Sequence, residues 1–256
     1  MTPTTTPIQP SIFHLEETTS TNDYLHAYCQ EHASEEFTTI CTESQTAGKG
    51  QRGNTWESEK NKNLLFSTLV YPSFLEAKEQ FYLSILTALS VTNILSSYTD
   101  CISIKWPNDI YWKDKKIAGI LIENEIQGKT ISQSIIGIGL NVNQENFLSN
   151  APNPISLKQI LGISINKELL LMKIRDSFIQ LYNELKKTPE LAKTQIQQSY
   201  IEKLYRRDGF HLYQDTTGIF KARFHHLLPT GHLCLEDEQG NIRTYAFKEI
   251  KYTLHE

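Results

Sequence analysis

The chain has 256 residues, of which 39% are hydrophobic and 21% are charged. This length suits one large domain with a small appendage, and this apolar content excludes an intrinsically disordered protein. The 25 basic and 29 acidic side chains give a net charge of −4, which argues against a protein that mainly holds a nucleic-acid backbone. No apolar run approaches the roughly 18 residues of a transmembrane helix, so no membrane partner is expected.

The cysteines and the N-terminal residues both favour a cytoplasmic protein. Residues 1–10 are rich in Thr and Pro and lack the basic start and apolar core of a secretory signal. The cysteines form no CxxC pair and match no zinc spacing, so we expect reduced thiols. They are Cys29, Cys41, Cys101 and Cys234.

The first part of the chain alternates predicted strands and helices. Ser20 and Asp23 have the spacing of a capping box, which places Ser20, Thr21 and Asn22 at a helix N-terminus. Apolar residues at helical spacing predict a long helix over residues 80–98. Strands are predicted over residues 12–15, 36–42, 64–71, 102–106, 117–123 and 134–142.

The second part of the chain predicts two helices and then a change of pattern. Asn166 is a candidate N-cap, and Thr188 followed by Pro189 starts another helix. Helices are therefore predicted over residues 166–187 and 188–206. The short strand candidates that follow are typical of a small all-β barrel. They cover residues 210–213, 219–224, 232–235 and 242–247, which divides the chain into domains 1–207 and 208–256.

Residues 48–53 form a glycine-rich cationic loop, Gly-Lys-Gly-Gln-Arg-Gly. The pattern G-x-G-x-x-G indicates dinucleotide binding only when a helix follows, and residues 54–61 have no apolar stripe that a helix would bury. Glycines let main-chain N–H groups approach an anion, while Lys49 and Arg52 add positive charge. The loop therefore indicates an anion site, with a solvated surface loop as the alternative. Trp56 beside it suits stacking on a base, although indoles more often pack in a core.

Two predicted strands present a polar or bare face. Lys105 ends the strand over 102–106, on the face opposite Ile104, where it is either solvated or holds an anion above the sheet. In the strand over 134–142, Gly137 and Gly139 share one face and leave a trough for a helix or a ligand.

Three separate segments supply cations that could meet at one site. The first supplies Lys49 and Arg52, the second Lys105 and the third Lys116. Such a set of cations predicts a site for a small anionic substrate plus a nucleotide. Other chemistries fit poorly, because neither a G-x-S-x-G nor an H-E-x-x-H motif is present. The adjacent His225 and His226 are expected on opposite faces of a strand, which does not suit one metal ion. No metal ligand is assigned.

Five motifs, in this order, resemble those of biotin–protein ligases (biotin–acetyl-CoA-carboxylase ligases). They are Ser20-Thr21-Asn22, residues 45–56 (QTAGKGQRGNTW), residues 105–109 (KWPND), residues 116–121 (KIAGIL) and residues 137–143 (GIGLNVN). The resemblance implies an α+β fold in which helices flank a mixed β-sheet, of the class II synthetase-like ligase type. It also implies that 1–207 is a biotin- and ATP-binding catalytic domain and 208–256 a small SH3-like β-barrel.

The resemblance implies an ATP-dependent ligase with two half-reactions. Biotin and ATP, with Mg²⁺, would give biotinyl-5′-AMP and pyrophosphate. A lysine of a biotin carboxyl carrier protein domain would then attack this adenylate intermediate and release AMP. The intermediate is held without a covalent bond to the enzyme, which agrees with the missing nucleophile motif.

The resemblance also implies roles for individual residues. The catalytic residues would be Lys105, which bridges the biotin carboxylate and the α-phosphate, and Arg52. Biotin would be bound by Ser20, Thr21, Asn22, Gln45, Gly48, Lys49, Gly50, Gln51, Lys105 and Gly119. The adenylate would be bound by Lys49, Gly50, Gln51, Arg52, Asn54, Lys116 and Asn141, with Trp56 stacked on adenine.

The chain departs from the family pattern at two places. Gln51 and Asn54 stand where arginines are common, which removes two positive charges near the phosphates. Only about 11 residues precede the first predicted strand, too few for a helix-turn-helix domain, so we expect no DNA partner and no repressor function. Monomer and homodimer both remain open. The alternatives are a lipoate–protein ligase, which shares fold and chemistry, and a non-catalytic nucleic-acid binder that uses the cationic loop.

Overall fold

The computed structural model describes residues 11–148 and 153–253, and it shows an α+β fold with two β-sheets. The strands of the first sheet are β1 (Ile12–Leu15), β2 (Thr39–Thr42), β3 (Leu64–Val70), β4 (Ile102–Lys105), β5 (Asp109–Trp112), β6 (Lys115–Gln127) and β7 (Thr130–Leu140). The helices are α1 (Thr21–Glu31), α2 (Phe81–Leu95), α3 (Leu157–Leu161), α4 (Lys167–Lys187) and α5 (Pro189–Glu202). The strands of the second sheet are β8 (His211–Asp215), β9 (Gly218–Leu227), β10 (Leu233–Asp237), β11 (Ile242–Tyr245) and β12 (Lys251–Tyr252).

The first sheet is mixed, with seven strands in the order β1-β2-β3-β7-β6-β5-β4. β1 and β2 are parallel, and every other neighbouring pair is antiparallel. The long hairpin of β6 and β7 therefore lies in the middle of the sheet, and β4 lies at one edge. This order brings β3, early in the chain, beside β7.

Helices cover the two faces of this sheet unequally. Helices α2, α4 and α5 pack on one another, and α2 contacts β4, β5 and β6. Ile136, Ile138 and Leu140 of β7 belong to the large core on this side, where burial of each apolar side chain contributes about 1.5–3 kcal/mol. On the opposite face, α1 buries only a small apolar cluster, formed by Leu25, Ile40, Leu69 and Ile135. The rest of that face is left open for other groups.

The second sheet is antiparallel, with five strands in the order β11-β10-β9-β8-β12, and it fits an SH3-like domain. It is joined to the first sheet by specific contacts. The indole Nε1 of the buried Trp106, just after β4, donates a hydrogen bond of 2.9 Å to the carbonyl of Gly231. The main chain of Ile104 pairs with the segment that follows α5, at Lys203 and Tyr205. β12, near the end of the chain, thereby lies close to β4.

The structure confirms the predicted helices and most predicted strands within a few residues of their ends. The strand β5 was not predicted, because Pro107 was taken to end the ladder, whereas Asp109 starts a new strand that returns along β4. Residues 36–38 are not strand, and Phe37 has a φ of +71°. Ser20 is the N-cap of α1, but its side chain makes no capping bond. The predicted capping box is therefore wrong, and Asp23 instead forms an ion pair with Lys49.

The expectation for the two adjacent histidines is also wrong. In the ladder of β9 and β10, His226 pairs with Cys234 while Phe224 pairs with Leu235, so His225 is the extra residue of a β-bulge. The bulge interrupts the alternation of side chains, and the two Nδ1 atoms lie 2.6 Å apart. In the described ranges, 11–148 and 153–253, no group of three or more His, Cys, Asp or Glu side chains could hold a metal ion.

Two further expectations can be compared with the structure. All four cysteines are free thiols, as the sequence predicted. None of the helices in the described part of the chain is long and apolar enough to cross a lipid bilayer.

Candidate active site

The register of the first sheet brings Lys105 onto the same face as the two central glycines. Lys105 pairs with Asp109, Asp109 with Gly119, Gly119 with Gly139, and Gly139 with Leu65. Directly opposite residues of an antiparallel pair share a face. A single row thus runs across five strands, from a lysine at the edge to bare backbone in the centre. This is the face that α1 leaves largely uncovered.

The indole of Trp56 lies on this bare backbone. A Cβ at Gly139 would lie 2.5 Å from Trp56 Cε2, and a Cβ at Gly119 would lie 2.9 Å from Trp56 Cζ3. Both positions therefore require glycine for the ring to lie this close. Trp56 Nε1 is buried without a hydrogen-bond partner among the described residues. A buried donor of this kind is uncommon in native proteins.

A cavity of about 890 Å³ opens above the row, and most of the predicted site residues line it. This volume lies within the range of small-molecule sites. The predicted residues that line the cavity are Ser20, Thr21, Asn22, Gln45, Lys49, Gly50, Gln51, Asn54, Trp56, Lys105, Lys116, Gly119 and Asn141. Gly48 is not among the lining residues, because it packs beneath Trp56: a Cβ there would lie 2.6 Å from the Trp56 carbonyl oxygen. The side chain of Arg52 lies outside the described part of the chain.

One end of the cavity is a hydrogen-bonded cluster of amides and hydroxyls. Gln45 Oε1 accepts hydrogen bonds from the main-chain N–H of Thr21, at 2.8 Å, and from its hydroxyl, at 3.2 Å. The Ser67 hydroxyl lies 2.7 Å from Thr21 Oγ1 and 2.6 Å from Asn22 Oδ1. Asn22 Nδ2 donates to Glu123 at 2.7 Å. Such a network fixes the direction of each donor and acceptor, because every member is oriented by its neighbours.

The Lys105 side chain also lines the cavity. Its Nζ donates a 2.9 Å hydrogen bond to the hydroxyl of Tyr111 and lies 4.8 Å from the centre of that ring. Burial lowers the pKa of Lys105, and Lys116 and Arg206 act in the same direction, whereas Asp109 opposes them. In the described part of the chain, no carboxylate lies within ion-pair distance of Lys105. Its positive charge is therefore available to an anion in the cavity.

Lys116 has a different environment. Its Nζ lies 2.7 Å from Asp109 Oδ1, and both side chains are about one quarter exposed. The same ammonium lies 5.5 Å from the centre of the Trp56 ring. Lys116 and Trp56 therefore form one side of the cavity together, with Asp109 as the counter-charge.

The cationic loop closes on itself beside the cavity. The N–H of Gly50 donates to the carbonyl of Asn54 at 2.7 Å, and the N–H of Trp56 donates to the carbonyl of Gly48 at 2.8 Å. Lys49 points to Asp23 of α1 and forms an ion pair with it, which raises the Lys49 pKa.

Several lining residues were missed by the sequence analysis. Asn108 and Tyr111 line the cavity, although only Lys105 of that region was singled out. Five residues in or near β12 also line the cavity: Phe247, Lys248, Ile250, Lys251 and Tyr252. They belong to no recognisable motif, so no signal in the sequence pointed to them.

Residues 15–141 match the biotin/lipoate A/B protein ligase family. The fold and the lining of the cavity agree with this match. Among curated proteins, the chain is 30% identical over 180 residues to the bifunctional ligase/repressor BirA of Bacillus subtilis. This alignment covers 69% of the chain and 54% of BirA. The chain is also 30% identical over 201 residues to the Escherichia coli BirA, covering 75% of this chain and 57% of that protein. The chain spans a little more than half the length of these two relatives.

A solved structure extends the similarity over nearly the whole chain. The biotin protein ligase of Aquifex aeolicus, in complex with biotin and ATP, superposes with a TM-score of 0.77 at 25% sequence identity. The superposition covers 95% of this chain and 99% of that one. It includes the C-terminal sheet as well as the first, so the whole architecture agrees with that of a biotin protein ligase.

Proposed function

We propose that this protein is a biotin–protein ligase that activates biotin with ATP and transfers it to a lysine of a biotin carboxyl carrier protein domain. One observation carries the proposal. The ammonium of Lys105 lines the cavity, and in the described part of the chain no carboxylate lies within ion-pair distance of it. The amide and hydroxyl cluster of Thr21, Asn22 and Gln45 lines the same cavity. The relatives named ligases and the structure titled as a complex with biotin and ATP support it.

In the first half-reaction, a carboxylate oxygen of biotin attacks the α-phosphorus of ATP. The new O–P bond forms as the bond to the β-phosphate oxygen breaks, and pyrophosphate leaves with the electron pair. Two anions must approach each other, so a cation between them lowers the barrier. Lys105 is the catalytic residue for this step, because its ammonium lines the cavity and has no carboxylate within ion-pair distance among residues 11–148 and 153–253.

The polar cluster is assigned to the uncharged ring end of biotin. A ureido group presents two N–H donors and one carbonyl acceptor, and the cluster offers both kinds of partner. Ser20, Thr21 and Asn22 are almost completely buried, so an unpaired group there is costly and the cluster is selective. Gln45 and Gly119 contact the same molecule in this assignment.

The cationic loop, Lys116 and Asn141 are assigned to the nucleotide. Residues 48–54 fold over the adenylate, with Arg52 as the second catalytic cation and Lys116 on the phosphate. Trp56 lies on the glycines with one face and lines the cavity, where it stacks on adenine. Because Gln51 and Asn54 are uncharged, the loop supplies two fewer cations than family members that carry arginines there.

Magnesium is assigned to the nucleotide rather than to a protein cage. The cavity lining includes two carboxylates, of Glu57 and Asp109, and Asp109 is already paired with Lys116. Mg²⁺ typically binds one or two carboxylates together with phosphate oxygens and water, which these residues can complement. When bound, the ion supplies positive charge to the phosphates.

In the second half-reaction, the neutral amine of a carrier lysine attacks the acyl carbon of the adenylate. The C–N bond forms, the bond to the phosphate oxygen breaks, AMP leaves, and the amine loses a proton to solvent. Four free thiols are consistent with a reducing, cytoplasmic setting for this reaction.

The proposal is tested by two assays on the purified protein. Biotin-dependent exchange of labelled pyrophosphate into ATP measures the first half-reaction, and a non-catalytic nucleic-acid binder shows none. Mass spectrometry of a carrier domain incubated with ATP and either biotin or lipoate measures the second. A biotinyl adduct is expected, whereas a lipoyl adduct without a biotinyl one would make the protein a lipoate–protein ligase.

A further inference from the structure

The Lys105 ammonium contacts two tyrosines that come from different sheets. Tyr111 of β5 accepts its hydrogen bond at 2.9 Å. The second is Tyr252 of β12, and the centre of its ring lies 5.1 Å from Lys105 Nζ. Both rings are within the distance at which an ammonium is attracted by an aromatic face. The second sheet thus contributes a direct contact to the cation of the first.

The position of Tyr252 is fixed by the sheet that carries it. Tyr252 pairs with Tyr213 of β8 across the ladder, and their ring centres are 5.2 Å apart. The ring centre of Tyr205, in the segment after α5, lies 6.0 Å from the ring centre of Tyr252. The guanidinium of Arg206 donates to the carbonyls of Leu212, at 3.0 Å, and Thr253, at 2.7 Å, which ties the two strands together beside the ring.

Two rings and one hydroxyl orient an ammonium without neutralising it. An ammonium has three N–H donors, and Tyr111 is the one hydrogen-bond acceptor of Lys105 in the described part of the chain. Two N–H groups therefore remain for a ligand in the cavity. The rings also restrict the rotamers of a long side chain, which otherwise loses conformational entropy when it engages an anion.

We propose that Tyr252 is a positioning residue for Lys105, so that the C-terminal sheet sets the rate of adenylate formation. The inference rests on the proposed function and deepens it. Tyr252 acts through its ring, which lies against the ammonium at a centroid distance of 5.1 Å. The C-terminal sheet is then part of the site for the first half-reaction, before any carrier domain has bound.

The test compares Tyr252→Phe with Tyr252→Leu in biotin-dependent pyrophosphate exchange. Phe keeps the ring, so kcat is expected within about twofold of the parent protein. Leu removes the ring, so kcat is expected to fall about tenfold while the KM for biotin changes little, because the polar cluster is untouched. Phe224→Leu is the matched control: Phe224 is a partly buried aromatic residue of the same sheet, in β9, and it pairs with Leu235 away from Tyr213 and Tyr252. Its kcat is expected to stay unchanged.

A second measurement does not depend on activity. Labelling of lysines by an amine-reactive reagent, read by mass spectrometry, is expected to be several-fold faster at Lys105 in Tyr252→Leu, since the ring no longer covers the amine. The inference would be overturned by equal labelling of Lys105 in Tyr252→Leu and the parent protein, or by an unchanged kcat in Tyr252→Leu. It would also be overturned if Tyr252→Phe or Phe224→Leu lost as much activity as Tyr252→Leu. Absence of exchange in the parent protein would instead overturn the proposed function, and the labelling result would still decide the position of Tyr252.

Discussion

At the scale of single residues, the site depends on whether the positive charge of each lysine is paired with a carboxylate. Lys116 forms an ion pair with Asp109, and Lys49 with Asp23, whereas Lys105 has no ion pair among the described residues, although Asp109 acts on it at longer range. A buried charge without a counter-ion costs free energy of folding. That cost is offset when an anion binds, so the uncompensated lysine is the one suited to stabilise a negatively charged transition state.

Replacing Lys105 with Ala is expected to abolish the first half-reaction while leaving the fold intact. Loss of a cation aimed at developing charge typically costs about 10²–10³-fold in kcat. Biotin-dependent pyrophosphate exchange measures this effect, and circular dichroism checks the fold. Lys115→Ala, at an exposed lysine of β6, is the control and is expected to keep full activity. Full exchange activity in Lys105→Ala would remove Lys105 from the mechanism.

The pH dependence of adenylate formation is expected to report the environment of Lys105. Burial disfavours the charged amine, so the pKa of Lys105 lies below its ordinary value of 10.5. The catalytic form is the cation, which is lost as the pH rises through this lowered pKa. The exchange rate should therefore decline on the alkaline side earlier than it would for a solvated lysine.

Lys105→Arg is the control for this pH profile, because a guanidinium stays charged over the whole range. Its rate is expected to be lower at neutral pH but without the alkaline decline. An identical decline in both proteins would assign the titration to another group.

At the scale of secondary-structure elements, the hairpin of β6 and β7 provides the floor of the cavity. One face of each strand packs in the core through residues such as Ile120 and Ile138. The other face carries Gly119 and Gly139, which lie opposite each other in the ladder. Two small residues side by side on neighbouring strands make a depression one ring wide, and Trp56 occupies it.

Gly139→Ala is expected to displace Trp56 and weaken ligand binding. The added Cβ would lie 2.5 Å from the indole, closer than two carbon atoms can approach, so the ring must leave the floor. We expect the KM for ATP or biotin to rise about tenfold, in line with the cost of misplaced groups in a site. Pyrophosphate exchange at varied substrate concentration measures it.

Gly240→Ala separates this effect from a general loss of stability. Gly240 is in the turn between β10 and β11 with a φ of +82°, and no atom lies within 4 Å of an added Cβ. This variant is expected to lower the free energy of unfolding by about 1 kcal/mol without changing either KM. An unchanged KM in Gly139→Ala would contradict the role given to the floor.

At the scale of the whole molecule, the cavity exists because two sheets meet. Trp106, just after β4, is buried at the junction and bonds to Gly231, while its ring contacts Phe247 at a centroid distance of 6.4 Å. The main chain of Lys203 and Tyr205 pairs with Ile104 nearby. These contacts hold β12 beside Lys105.

Trp106→Phe is expected to destabilise the protein by about 1–3 kcal/mol, because the carbonyl of Gly231 loses its donor in a buried place. Urea unfolding measures the change. Trp112→Phe is the control, since the Trp112 Nε1 donates to the half-buried hydroxyl of Thr99, at 3.2 Å, within the first sheet. Its cost is expected to be smaller. An equal loss of stability in the two variants would show that the hydrogen bond from Trp106 to Gly231, between the sheets, stabilises the protein no more than the bond from Trp112 to Thr99.

Much of this protein could be predicted from local patterns. The alternation of glycines and apolar residues in β7 predicted its two faces, because side chains of a strand alternate strictly. The strand end at Lys105 and the glycine-rich loop were also recognised, since each depends on residues that are adjacent in the chain. One prediction from local spacing failed. Ser20 makes no capping bond, and Asp23 forms an ion pair with Lys49, which comes from a different segment.

The sequence by itself determined most of the helices and strands, the apolar faces, and which cations are candidates for a site, but it did not predict β5, β12 or α3. The tertiary structure alone decided that Lys105 lies in one row with Gly119 and Gly139, because register depends on pairing between distant strands. It also decided that Tyr252, about 150 positions further along the chain, covers Lys105. No local pattern encodes such a contact, which follows from the packing of one sheet against another.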